Sequence, residues 1–86
     1  MFEFDPAKSE ANRAKHGIDF EEAQALWRDP YRLAIPSLSA DEERWLVTGK
    51  IGDRHWTAIH SFRDDAIRII SVRRARRNEV KNYDNR

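Results

Sequence analysis

Four arginines, Arg73, Arg74, Arg76 and Arg77, fall within five residues, directly after an apolar run containing Ile67, Ile69, Ile70 and Val72. A guanidinium stays charged and presents a planar fork of donors that matches two phosphate oxygens. At the end of a strand such a cluster is rigidly held and suits a polyanion; as a bare charge run it also suits a solvated helical turn. Arg68, inside the apolar run and by simple alternation on the same face as Ile70 and Val72, either joins that surface or pairs with a helix carboxylate. Glu79 and Tyr83 lie four apart on one helix face, where the tyrosine either enters a site or packs. Lys15 and His16 close an earlier helix, where they either act chemically or complement the helix dipole. An exposed guanidinium at Arg73 predicts that its removal spares the fold.

Other chemistries lack their residues. His55 and His60 stand five apart in a stretch of period two, hence on opposite faces, and there is neither Cys nor H-x-x-x-H spacing, so no metal site is expected. Glycine-rich phosphate loops and G-x-S-x-G elbows are absent, and no cofactor is expected. Arg, Lys, His and Tyr together match cleavage of RNA without a metal, in which the 2′-hydroxyl attacks and the protein orients ribose, moves protons and stabilises charge. They match plain RNA binding equally well.

The elements that must hold these groups follow from pattern. The chain has 86 residues and net charge +1, which suits one small domain spanning 1–86. Charge is uneven: eight Lys/Arg face eleven Asp/Glu up to Phe62, and eight face four from Arg63 onward, giving −3 and +4. The basic end calls for an acidic ligand. No apolar run is long enough to span a bilayer and no leader pattern opens the chain, so a soluble, cytoplasmic protein without membrane contact is expected.

Phe2 and Phe4 flank Glu3 in a short strand. Asp5-Pro6 then starts a helix with a small-residue stripe of Ala7, Ala11 and Ala14, ended by Gly17. Asp19 and Glu22 form a capping-box pattern for a second helix with Phe20, Ala23, Leu26 and Trp27 buried, and Asp29-Pro30 stops it. Tyr31 to Ile35 alternates as a strand, Ser37 to Glu43 reads as a loop, Arg44 to Thr48 as a strand and Gly49 to Asp53 as a hairpin turn. Arg54 to Phe62 is a strand with Trp56, Ala58, His60 and Phe62 on one face, then a turn at Arg63 to Ala66, the apolar strand, and a helix over Asn78 to Tyr83. Trp27, Trp45 and Trp56 suit the core better than base stacking. The order β-α-α-β-β-β-β-α predicts an α+β fold: an antiparallel sheet with two N-terminal helices on one face and a short C-terminal helix.

The segments FEFDPAKSEANRAKHGIDFEEA, EERWLVTG and FRDDAIRIISVRRARRNEVKNY together resemble the BrnT-type toxins of bacterial type II toxin–antitoxin systems, along nearly the whole chain. KHG-x-x-FEEA and RIIS-x-R followed by E-x-x-x-Y are the most specific parts. The resemblance implies a RelE-like fold and a ribonuclease that cleaves RNA and halts growth. It also implies a ribbon-helix-helix antitoxin through which alone the promoter DNA is bound. Carried over by position, it implies Lys15, His16, Arg63, Arg73, Glu79 and Tyr83 as catalytic residues; Arg68, Arg74, Arg76 and Arg77 are expected on the RNA from their charge and place in the chain. Phe62 stands where a polar residue is usual.

Overall fold

The computed structural model describes residues 1–38 and 43–86. Its elements are β1 (Phe2–Glu3), α1 (Pro6–His16), a 3₁₀ helix (Glu22–Arg28), β2 (Leu33–Pro36), β3 (Trp45–Ile51), β4 (Arg54–Arg63), β5 (Ala66–Arg74) and α2 (Arg77–Asp84). One sheet orders the strands β1-β5-β4-β3-β2. From β2 to β5 it is the antiparallel meander expected from the alternating pattern, with Ile51 opposite Arg54 and Arg63 opposite Ala66 across two-residue turns. Of the loop expected over Ser37 to Glu43, residues 39–42 lie outside the described residues. Among the described residues no helix is long and apolar enough to cross a membrane.

The sheet is mixed rather than purely antiparallel. β1 pairs parallel with β5, Phe2 opposite Ile67 and Glu3 opposite Arg68. A two-residue strand carries no pattern of its own that fixes its direction; the intervening chain supplies the crossover that a parallel pair needs.

Strand pairing sorts side chains by face. Val47, Ala58 and Val72 share one face, and Thr48, Thr57 and Arg73 share the other. The first face carries the core with Ile18, Phe20, Ala23, Leu26, Trp56 and Ile69. Phe20, Leu26 and Val72 are almost fully buried, and each contributes about 1.5–3 kcal/mol by leaving water.

The two N-terminal helical segments both contribute buried residues, but not as patterned. The Asp19–Glu22 box forms: Asp19 Oδ1 accepts the Glu22 N–H at 2.7 Å and Glu22 Oε1 accepts the Asp19 N–H at 3.0 Å. The segment it starts is nevertheless 3₁₀, not α. Three residues per turn align Phe20, Ala23 and Leu26, which repeat every third position and are the ones buried; Trp27, off that row, is half-buried. In α1 the alanine stripe faces solvent, and Ser9 and Asn12 point inward. Ser9 Oγ accepts the Phe20 N–H at 2.9 Å. Asn12 donates to the Ile18 carbonyl at 2.8 Å and accepts the Val72 N–H at 3.2 Å, occupying the edge of β5 beyond β1.

Two local departures matter for the site. Ile59 stands opposite Ser71 but His60 opposite Ile69, so Ile70 is a bulge. One extra residue inverts the facing of the strand beyond it, and Arg68 lies on the face away from Val72. Gly49, expected in the hairpin turn, is inside β3 and buried, because a Cβ there would stand 3.2 Å from Leu26 Cδ2 and 3.1 Å from Asp29 Oδ2.

Candidate functional site

At one end of the sheet, α2 folds over the face opposite the core and meets Arg73. Glu79, 9 % exposed, is the node. Its Oε1 accepts from Arg73 Nη1 at 2.7 Å, from the Arg76 N–H at 2.8 Å and from Thr57 Oγ1 at 3.0 Å; Oε2 accepts from Arg73 Nη2 at 2.9 Å. The Arg76 bond caps the start of α2. Thr57 gives its single hydroxyl proton to Glu79, so the 2.8 Å contact with Thr48 has Thr48 as donor. Burial alone would raise the Glu79 pKa, but the Arg73 fork, the Arg76 amide and Thr57 hold it at about 2, below the ordinary 4.5. Four donors keep this carboxylate ionised and leave it no proton-accepting role near neutrality.

Arg73 is therefore not the exposed, structurally neutral arginine its surroundings in the sequence suggest. Its side chain is 18 % exposed, and both terminal nitrogens are bound to Glu79, a bidentate fork. Loss of Arg73 would strand a buried carboxylate, so sparing of the fold is not expected.

A second carboxylate organises the neighbouring corner. Asp29 Oδ1 accepts the Tyr31 N–H at 2.8 Å, while Oδ2 accepts the Lys50 N–H at 2.8 Å and the Tyr83 hydroxyl at 2.7 Å. Lys50 lies beyond the last β2 pair, Leu33 with Thr48, so Asp29 takes a ladder position that β2 leaves open. Burial opposes its ionisation, but these donors outweigh it and its pKa is lowered. Burial and the Asp29 partner together push the Tyr83 phenol to about 12, so Tyr83 is a neutral donor rather than a base. The His55 ring meets Tyr83 edge-on at 5.1 Å, and its Nε2 lies 3.3 Å from Asp84 Oδ1.

Around these nodes stand cations. Arg74 lies over the Trp56 ring at 5.4 Å, and Arg76 and Arg77 are exposed at the start of α2. An open cleft of about 860 Å³ between the end of the 3₁₀ helix and α2 is bordered by Arg28, Tyr31, Lys50 and Arg86.

Not all expected site residues gather here. Lys15 and His16 close α1, one turn after Asn12, which bonds Val72 of β5. Among the described residues no hydrogen bond or ion pair joins Lys15 or His16 to Arg73 or Glu79. Arg63 lies at the other end of the β4–β5 hairpin, six positions along β4 from Thr57, the partner of Arg73, which is about 20 Å at a strand's rise per residue. The two arginines therefore do not form one centre. Arg68, beside Arg63 on a small separate cavity with Ser61 and Glu43, lies 3.5 Å from Glu3 of β1 rather than from a helix carboxylate.

Asp29, His55 and Thr57 escaped the sequence reading as site residues. Asp29 read only as a helix stop, although its three donors come from positions 31, 50 and 83. His55 offered only its face on an alternating strand. Nothing local signalled either partnership.

Residues 4–79 match the family model described as ribonuclease toxin, BrnT, of type II toxin–antitoxin system. No curated protein matches the chain.

Proposed function

The chain belongs to the BrnT family of ribonuclease toxins of type II toxin–antitoxin systems, and on that premise we propose an endoribonuclease that needs no metal and works at the α2 end of a RelE-like sheet. The observation that carries the placement is the Arg73–Glu79 fork, which fixes the start of α2, where Arg76 and Arg77 are exposed, while Arg74 lies over Trp56 at the same end of the sheet. The RNA 2′-hydroxyl attacks the adjacent phosphorus in line, the 5′-oxygen departs, and a 2′,3′-cyclic phosphate and a 5′-hydroxyl result. The arginines hold the phosphate and offset the charge that builds on its oxygens. Lys15 and His16, in the last turn of α1, move the protons. Glu79 positions Arg73, and Tyr83 positions α2 through its hydrogen bond to Asp29. Arg63 and Arg68 hold the RNA chain away from the scissile bond. Independence of metal rests on the donor set: among the described residues no three His, Asp or Glu side chains converge.

In this reading the toxin arrests growth in the cytoplasm until a ribbon-helix-helix antitoxin covers the site, and promoter DNA is bound only through that partner. The net +4 from Arg63 onward supports electrostatic capture of an acidic antitoxin segment. One observation favours a second reading, a nucleic-acid-binding regulator without catalysis: Arg73, Glu79 and Tyr83 are all committed to internal partners. Incubation of purified protein with RNA in EDTA decides. Cleavage to cyclic-phosphate ends is expected; tight binding of RNA that stays intact, or cleavage only after Mg²⁺ is restored, would overturn the proposal.

A further inference from the structure

The cleft beside α2 is lined by groups that the reaction centre does not use. Tyr31 is 69 % exposed, a large aromatic left in water. Its backbone is fixed all the same: the preceding residue is Pro30, and the Tyr31 N–H is held by Asp29 at 2.8 Å. Among the described residues no other ring packs against it. Arg28 and Lys50 line the same cleft, and neither side chain has an ion-pair partner among the described residues. The two carboxylates nearby are already engaged, Asp29 by three donors and Asp84 by His55. What remains is one open ring face flanked by two unpaired cations.

We propose that this cleft is a subsite for one unpaired nucleotide of an RNA strand, its base stacked on Tyr31 and its flanking phosphates on Arg28 and Lys50. The inference rests on the ribonuclease reading and extends it with a recognition element outside the reaction centre. Only an unpaired base presents a free face to a ring, so the subsite selects single strands over duplex. Stacking tolerates any base, so it adds affinity and register rather than a sequence code.

The test is fluorescence anisotropy with a single-stranded RNA oligonucleotide made uncleavable by 2′-O-methyl groups, with cleavage of the all-ribose oligonucleotide followed in parallel. Tyr31→Phe keeps the stack and should bind within about twofold of the unaltered chain, whereas Tyr31→Ala should weaken binding about 5- to 150-fold, the range for one base–aromatic stack. Arg28→Ala with Lys50→Ala should flatten the salt dependence by about 0.7 in slope for each phosphate no longer neutralised. All three positions are at the surface, so thermal melts should coincide. Tyr31→Ala that binds and cuts like the unaltered chain overturns the subsite and leaves the ribonuclease reading standing. Tyr31-dependent binding by a chain that never cuts supports the subsite and overturns that reading. An unaltered chain that neither binds nor cuts overturns both. Variants that bind RNA normally but lose the antitoxin overturn the proposal and reassign the cleft to protein binding.

Discussion

The two ends of the β4–β5 hairpin carry the same residue types to different effect. At the α2 end, His55 stands beside Asp84, and Arg73 is forked onto Glu79. At the opposite end, His60 is 3 % exposed between the Trp27 and Phe62 rings, and its Nδ1 has no hydrogen-bond partner among the described residues. Arg63 there is exposed. Burial of polar groups is stabilising only where donors and acceptors are matched, and the matched end is the one that gathers cations. A network saturated internally holds its surroundings still, so the exposed Arg76 and Arg77 beside it are presented from a fixed base.

The largest effect should follow from Glu79→Gln. It removes the charge partner of Arg73 and should cost about 3 kcal/mol, the low end for breaking a buried pair, since Arg73 keeps part of its side chain in water. The pH dependence has a definite sign. Glu79 titrates near 2 when folded against 4.5 ordinarily, so its contribution is complete above 4.5 and is lost as pH falls from there toward 2. Urea unfolding at stepped pH should show that loss, and Glu79→Gln should remove it.

Next comes Tyr83→Phe, which deletes the hydroxyl held by Asp29 at 2.7 Å. About 1.5 kcal/mol is expected, typical of the weaker hydrogen bonds to a charged group. Calorimetry checks it.

At the other end the sign should reverse. His60→Leu replaces a buried group that lacks a partner and should stabilise by about 1 kcal/mol. Burial lowers the His60 pKa from 6.5. The unfolded chain therefore takes up its proton first, and stability present above 6.5 declines as pH falls through that value toward the folded pKa. His60→Leu should erase this decline and leave the one due to Glu79. A destabilised leucine variant would break the contrast between the ends.

Arg63→Ala should be the mildest, within about 0.5 kcal/mol for an exposed residue outside any network. Denaturant midpoints suffice to see it.

Much of this scaffold was legible because its signals are local. Asp5-Pro6, the reciprocal Asp19–Glu22 pair and the alternation of β4 each act within a few residues, and each is found. What escaped depends on distant partners. Asn12 is buried and binds Val72, sixty positions on, so nothing local to α1 marked its inward face. The bulge at Ile70 moves Arg68 to the other face without altering the apolar pattern. The site divides in the same way: the arginine cluster was visible as composition, whereas the pairing of Arg73 with Glu79 requires α2 to fold back over the sheet.

The central claim is that RNA is cut at the α2 end, and its most direct test is the rate of single-stranded RNA cleavage in EDTA. Two variants are compared with the unaltered chain: Arg74, Arg76 and Arg77 replaced together by alanine, and Arg63→Ala alone. Loss of the three cations should reduce the rate at least about a hundredfold with melting unchanged, while Arg63→Ala should stay within about tenfold of the unaltered chain. A triple variant that cuts RNA at the original rate, or an Arg63→Ala variant that alone abolishes cutting, would contradict the account.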